Sequence, residues 1–221
     1  MKCCSGAGYA AERQFGPTVA ERDLRRYARK GPDAATRLLL AAIRNAAIDG
    51  DSLLDIGGGV GVISLELLAA GVDRATIVEA SPAYLDAARR GAERRGFADR
   101  LKLIGGDFTA FAANIEPADT VTMHRVVCCY PFYQSLLNAA AKCCRQALAF
   151  SYPRDRWYLR AWVAIDNARR RIFRNPFRTF VHSVMAMETT LTAAGFRRVS
   201  RQRTLVWCVD VYCRLDSPAA T

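Results

Sequence analysis

One stretch constrains the fold more than any other: Leu53-Leu54-Asp55-Ile56-Gly57-Gly58-Gly59-Val60-Gly61. A short apolar strand, Ser52–Ile56, runs into glycines, and VISLELLAA then reads as a helix. Glycines at such a turn permit positive φ and let a bound molecule touch the backbone. The spacing is acid-x-Gly-x-Gly-x-Gly. Gly57 and Gly59 satisfy the first half of a G-x-G-x-x-G dinucleotide fingerprint, but its third glycine position holds Val62.

The rest of the chain repeats the strand–helix pattern. DAATRLLLAAIRNAAI is an amphipathic helix ahead of the glycine turn. Ala75–Glu79 is a second strand, and SPAYLDAARRGAERRG a helix with Ser81 at the cap and Pro82 in the first turn. Leu101–Ile104, Thr120–Met123 and Ala147–Tyr152 are further strands, with a helix from Phe132 to Cys144. Such alternation predicts a parallel, doubly wound α/β sheet. RDRWYLRAWVAIDNARRRIFR and HSVMAMETTLTAAGF are late helices, and Arg197–Leu205 with Val206–Leu215 reads as a closing hairpin. The apolar set of the first late helix is Trp157, Leu159, Trp162, Val163, Ile165 and Phe173, and its aromatics read as core more readily than as a substrate pocket.

Composition narrows the class. A chain of 221 residues, 51% hydrophobic and 24% charged, can bury its own core. No apolar run approaches the roughly 18 residues of a membrane span. The start lacks the apolar stretch of a secretory signal, so the expectation is a cytoplasmic protein without a membrane partner. Net charge is +11, which admits a nucleic-acid partner. The basic residues are nearly all arginine and form no tail, so a solvated basic surface is the favoured reading. Six of the eight cysteines are adjacent pairs: Cys3-Cys4, Cys128-Cys129 and Cys143-Cys144. None has C-x-x-C spacing, so reduced thiols and no metal site are expected.

The glycine turn, with Glu79 ending the second strand and Asp107-Phe108 following the third, resembles motifs of class I S-adenosylmethionine (SAM) methyltransferases. The resemblance covers about residues 50–155. It implies SAM as cofactor, held by Asp55, Gly57, Gly59, Gly61, Glu79, Ser81, Asp107, Phe108 and His124. Glu79 would bind the ribose hydroxyls, and Asp107 the adenine amino group. It also implies a Rossmann-like, mostly parallel seven-stranded sheet in the order 3-2-1-4-5-7-6. A helical N-terminal arm (residues 1–30) would cover a methyltransferase domain (residues 31–221).

A narrower resemblance rests on RRYARKGPDAATRLLL, VEASPAYLDAA, RVVCCYP and YPRDRWYLR. These look like a bacterial branch sometimes labelled magnesium-protoporphyrin O-methyltransferase-like. Members of that branch tend to carry Asp where this chain has His124 and Phe132, so no general base transfers.

The expected reaction is methyl transfer to a small-molecule oxygen, nitrogen or carbon. His124, at the end of the fourth strand, is the candidate base. Tyr9, Cys128, Cys129, Tyr130, Arg154 and Trp157 are candidates for the acceptor pocket. His182 reads as a helix-start packing residue. RNA methylation, a non-catalytic SAM-binding module and, more distantly, a dehydrogenase are the alternatives. Oligomeric state is left open.

Overall fold

The computed structural model describes residues 14–46 and 50–215. Seven strands form one sheet in the order β3-β2-β1-β4-β5-β7-β6, the order that the methyltransferase resemblance implies. They are β1 (Ser52–Ile56), β2 (Arg74–Glu79), β3 (Leu101–Gly105), β4 (Ala118–His124), β5 (Cys144–Pro153), β6 (Phe196–Arg203) and β7 (Trp207–Arg214). β1 to β5 pair in parallel, and β7 runs antiparallel to both β5 and β6. β1 is buried at every position, as expected of a central parallel strand covered on both faces.

The helices are α1 (Pro17–Lys30), α2 (Ala34–Asn45), α3 (Val62–Ala69), α4 (Pro82–Arg95), α5 (Phe108–Phe111), α6 (Tyr133–Lys142), α7 (Trp157–Ile172) and α8 (Val184–Ala193). On one face, Leu39 and Ile43 of α2 and Ile63 and Leu67 of α3 pack with Leu53, Val209 and Val211. On the other, Leu136 and Leu137 of α6 and Met187 and Leu191 of α8 pack with Val121, Met123 and Phe150. Local chemistry sets the helix starts. Asp33 caps α2 by accepting the Thr36 N–H at 2.9 Å. Ser81 caps α4, with Pro82 in the first turn.

α1 lies across the carboxyl end of the sheet. Ala20 and Leu24 bury against Val60, Tyr84 and Ala87. Tyr84 donates to Asp23 Oδ2 at 2.7 Å, and Tyr27 donates to Glu66 Oε1 at 2.6 Å.

Two sequence readings change. Cys144 opens β5 rather than ending a helix, because β4 begins earlier and Ala118 pairs with Cys144. In α7 only Leu159 and Val163 are buried; Trp157, Trp162 and Ile165, with Phe173 just after the helix, are exposed. A three-and-four apolar pattern identifies a helix but not which of its faces meets the core.

Candidate active site

The sheet opens at its carboxyl end into a cavity of about 750 Å³. That is where open α/β sheets bind ligands, and the size lies within the roughly 300–1,000 Å³ of small-molecule sites. Its floor is the glycine turn. Gly57 and Gly59 have φ of +64 and +58, a region that glycine enters without strain. A Cβ on Gly57 would sit 2.5 Å from Val126 Cγ2, whereas one on Gly59 would meet nothing within 4 Å. Gly61 has φ +81 but does not line the cavity. A Cβ there would press within 3.2 Å of Ile77 and 3.4 Å of Ala88, so this glycine serves close helix–sheet packing.

Asp55 stands beneath the turn. It accepts Thr122 Oγ1 at 2.7 Å and Ser64 Oγ at 2.9 Å. Burial, assisted by the charge of Glu79, pushes its carboxyl up to about 6 despite these donors. Through these two bonds Asp55 ties the turn to α3 and β4.

Glu79 closes β2 at the cavity wall. Its Oε2 accepts the Gly59 N–H at 3.0 Å and its Oε1 the Ser81 N–H at 2.9 Å. Burial raises its carboxyl and the backbone donors oppose the rise. Ser81 itself is fully buried, does not line the cavity and donates to the Phe15 carbonyl at 2.7 Å. It positions Glu79 and ties the chain before α1 to α4.

Asp107 and Phe108 form the third wall. Asp107 Oδ1 takes the Thr109 N–H and hydroxyl, at 3.0 and 2.9 Å, and the Tyr130 hydroxyl at 2.7 Å. No described residue donates to Oδ2. Burial, and the bond to Asp107, hold the Tyr130 phenol well above its usual range.

His124 is in the cavity wall, and both of its ring nitrogens meet side chains of other elements. Ser151 Oγ accepts the Arg125 N–H at 2.9 Å and lies 2.9 Å from His124 Nδ1. His124 Nε2 lies 3.2 Å from Thr36 Oγ1, whose proton goes to Asp33 Oδ1 at 3.0 Å. Nε2 therefore carries the hydrogen, and both ring nitrogens are used. Burial pushes the imidazole down to about 3. In this structure His124 is a neutral link between β4, β5 and α2.

The same link leads to a pair the sequence did not single out. Arg125, directly after β4, has φ +62 and donates to Asp33 Oδ2 at 2.7 Å. Its guanidinium lies 4.8 Å from the centre of the Trp207 ring. Burial alone would raise the Asp33 carboxyl, but the Thr36 N–H and the Arg125 charge hold it at about 2. Asp33 and Arg125 are ninety-two positions apart, and no local pattern pairs them.

The acceptor-side expectations divide. Cys129 and Tyr130 line the cavity, as do Phe177 and Phe180 from the segment after α7. Phe15 packs edge-on to Phe177, with centroids 5.3 Å apart. Cys128 does not line it; the thiol is buried and donates to the Arg125 carbonyl. Its hydrogen bond and burial raise the Cys129 thiol, which stays protonated. Arg154 turns away to the β6–β7 turn, donating to the Thr204 carbonyl at 3.1 Å. Trp157 is on the outer surface of α7. Their side-chain chemistry suits an acceptor pocket, but the chain after β5 carries them away from the cavity. Tyr9, Cys3 and Cys4 lie outside the described residues. His182 packs on Tyr133 at 4.5 Å between ring centres, and its Nε2 meets the Val127 carbonyl at 3.1 Å.

Comparison with known proteins agrees with this geometry. A family described as "Methyltransferase domain" matches residues 53–149. Protein arginine N-methyltransferase 7 of Drosophila grimshawi is 39% identical over 72 residues, 33% of this chain and 10% of that one. Ribosomal protein L11 methyltransferase of Yersinia pestis is 32% identical over 89 residues, 40% of this chain and 28% of that one. The match thus spans less than a third of either relative. Among solved structures, magnesium protoporphyrin IX methyltransferase from Synechocystis PCC 6803 with bound SAH superposes with a TM-score of 0.70 at 17% identity, covering 92% of this chain and 97% of that one. Glycine turn, strand-end acid and sheet order are those of the class I methyltransferase fold, and the family match places a methyltransferase domain over residues 53–149.

Proposed function

We propose that the protein transfers a methyl group from SAM to a small-molecule acceptor bound in the same cavity. One observation carries this reading. The wall formed by Gly57–Gly59, Glu79 and Asp107 is continuous with a second wall formed by Arg125, Tyr130, Phe177 and Phe180. The residues present fit the cofactor. Gly59 leaves open space where any side chain would intrude. Glu79 is a buried carboxylate already oriented by two backbone N–H groups, suited to a ribose diol. Asp107 has Oδ2 free of described donors for the adenine amino group, and Phe108 offers an apolar surface beside it.

The bound sulfonium supplies an electrophilic methyl carbon. The chain's own contribution is positioning, which converts a bimolecular encounter into an intramolecular one. Arg125 and Tyr130 are the polar groups placed to orient an acceptor, while Phe177 and Phe180 exclude water. α1, held by Tyr27 and Tyr84, acts as a lid over the cleft. That cover favours a small acceptor over RNA.

Calorimetric titration of the protein with SAM, SAH and NAD, with Glu79→Ala in parallel, tests the cofactor. Saturable binding of the adenosyl ligands, lost in the variant, is expected; selective NAD binding would overturn the reading. Release of SAH across a panel of small acceptors tests catalysis. Tight SAM binding without turnover would point to the non-catalytic module.

A further inference from the structure

Among the described residues, most of the exposed large apolar side chains lie on or beside α7 and on the β6–β7 turn. The buried side of α7 rests on Leu159 and Val163. The opposite side carries Trp157, Ala161, Ala164, Ile165, Ala168 and Ile172, a continuous helical stripe, and every one is exposed. Trp157 is 80% exposed, Ile165 69% and Ile172 76%. No polar residue interrupts the stripe. It extends onto the β6–β7 turn, where Tyr158 donates to the Leu205 carbonyl at 3.4 Å and Leu205 is 83% exposed.

The rims of this face are cationic. Arg160 and Arg171 flank the stripe on one side and Arg169 on the other. Residues 154–174 hold seven arginines and two aspartates, a net +5 out of the chain's +11. Both aspartates are engaged, Asp155 by Arg160 and Asp166 by Arg169 and Arg170.

We propose that the outer face of α7, with the β6–β7 turn, docks the protein onto an anionic lipid bilayer. Charge complementarity selects this occupant. In a two-fold contact between copies the same face meets itself, which would bring arginine rims together with no unpaired aspartate to answer them. A nucleic acid would answer the arginines but not the Ala/Ile centre of the stripe. A bilayer surface answers both: the aliphatic stripe and tryptophans enter the headgroup boundary while arginines reach the lipid phosphates. The sixteen residues of α7 extend about 24 Å, and the helix would lie in the plane of the interface. No helix among the described residues is long and apolar enough to cross a membrane, so the contact is peripheral. The proposal stands apart from the methyl-transfer reading.

The test is co-sedimentation of the full chain with phosphatidylglycerol–phosphatidylcholine vesicles against pure phosphatidylcholine vesicles, with tryptophan emission recorded. Binding to the anionic vesicles with a blue shift is expected. Partitioning should fall about tenfold or more in Ile165→Glu/Ile172→Glu, and should weaken as salt shortens the screening length from about 10 Å to about 3 Å. Unchanged SAM affinity of the double variant shows that it is folded; a variant that loses both is replaced by Trp157→Ser/Trp162→Ser. Binding to anionic vesicles that these variants do not weaken would overturn the assignment of the face. So would no vesicle binding at all, whether the wild type sediments as a dimer that the double variant splits or is retained only on single-stranded RNA.

Discussion

Gly57→Ala should destabilise the protein more than Gly59→Ala, although the two backbones are nearly alike, with φ of +64 and +58. A Cβ in the left-handed region costs roughly 1–2 kcal/mol at either site. The surroundings make the difference. At Gly59 the added methyl meets nothing within 4 Å, while at Gly57 it comes within 2.5 Å of Val126 Cγ2. Val126 is buried and follows Arg125, itself at φ +62, so the loop has little freedom to yield. Overpacking of this kind adds about 1–3 kcal/mol. The expected losses are therefore about 2–5 kcal/mol for Gly57→Ala and about 1–2 kcal/mol for Gly59→Ala. Urea unfolding with an unchanged m-value measures both. Val126→Ala completes a double-mutant cycle. It removes the clash but not the backbone strain, so Gly57→Ala should cost about 1 kcal/mol or more less in the Val126→Ala background. The cofactor readout should run the other way for Gly59→Ala, whose methyl projects from the cavity wall and weakens SAM binding beyond its effect on stability. Equal stability losses at the two glycines, or no coupling to Val126, would refute the steric argument.

Other consequences follow from the same geometry. Glu79→Gln keeps the shape but loses the charged acceptor, and SAM affinity should fall about ten- to a hundredfold by calorimetry, for a loss of about 1.5–3 kcal/mol. His124→Asn should slow turnover without removing a limb from the pH–rate profile, because the imidazole is held neutral down to about pH 3; loss of a limb near pH 6–7 would restore His124 as a base. The Asp55 carboxyl is raised from 3.8 to about 6, so the folded state binds the extra proton in that window and stability falls as pH rises through it. The cost at neutral pH is about 3 kcal/mol, and the slope of stability against pH between about 4 and 6 should be shallower in Asp55→Asn. Asp33 has the opposite sign: its carboxyl is held at about 2, so the Asp33–Arg125 contribution is complete above about pH 4 and is lost as pH falls toward 2. Arg125→Gln should reduce that acid-side loss in denaturation followed by circular dichroism, leaving the part that the Thr36 donors supply.

The features legible in the sequence are those set by near neighbours. Gly57 and Gly59 announce a turn because positive φ is a property of the residue itself, and Asp107 and Ser81 cap helices two or three residues away. The strand–helix alternation carries the parallel part of the sheet, and Glu79 stands beside Gly59 because strand ends of a parallel sheet share one edge.

What only the tertiary structure decided involves distant partners. His124 looks like a base in isolation. Thr36, eighty-eight positions away, and Ser151, twenty-seven away, occupy its nitrogens and make it a neutral link. Arg154 and Trp157 follow β5 closely, yet the direction in which the chain leaves the sheet takes them out of the cleft. In α7 the apolar pattern is real, but packing consumes only Leu159 and Val163 and leaves Trp157, Ile165 and Ile172 facing solvent. Periodicity specifies a helix, whereas the neighbour each face receives depends on where the rest of the chain comes to lie.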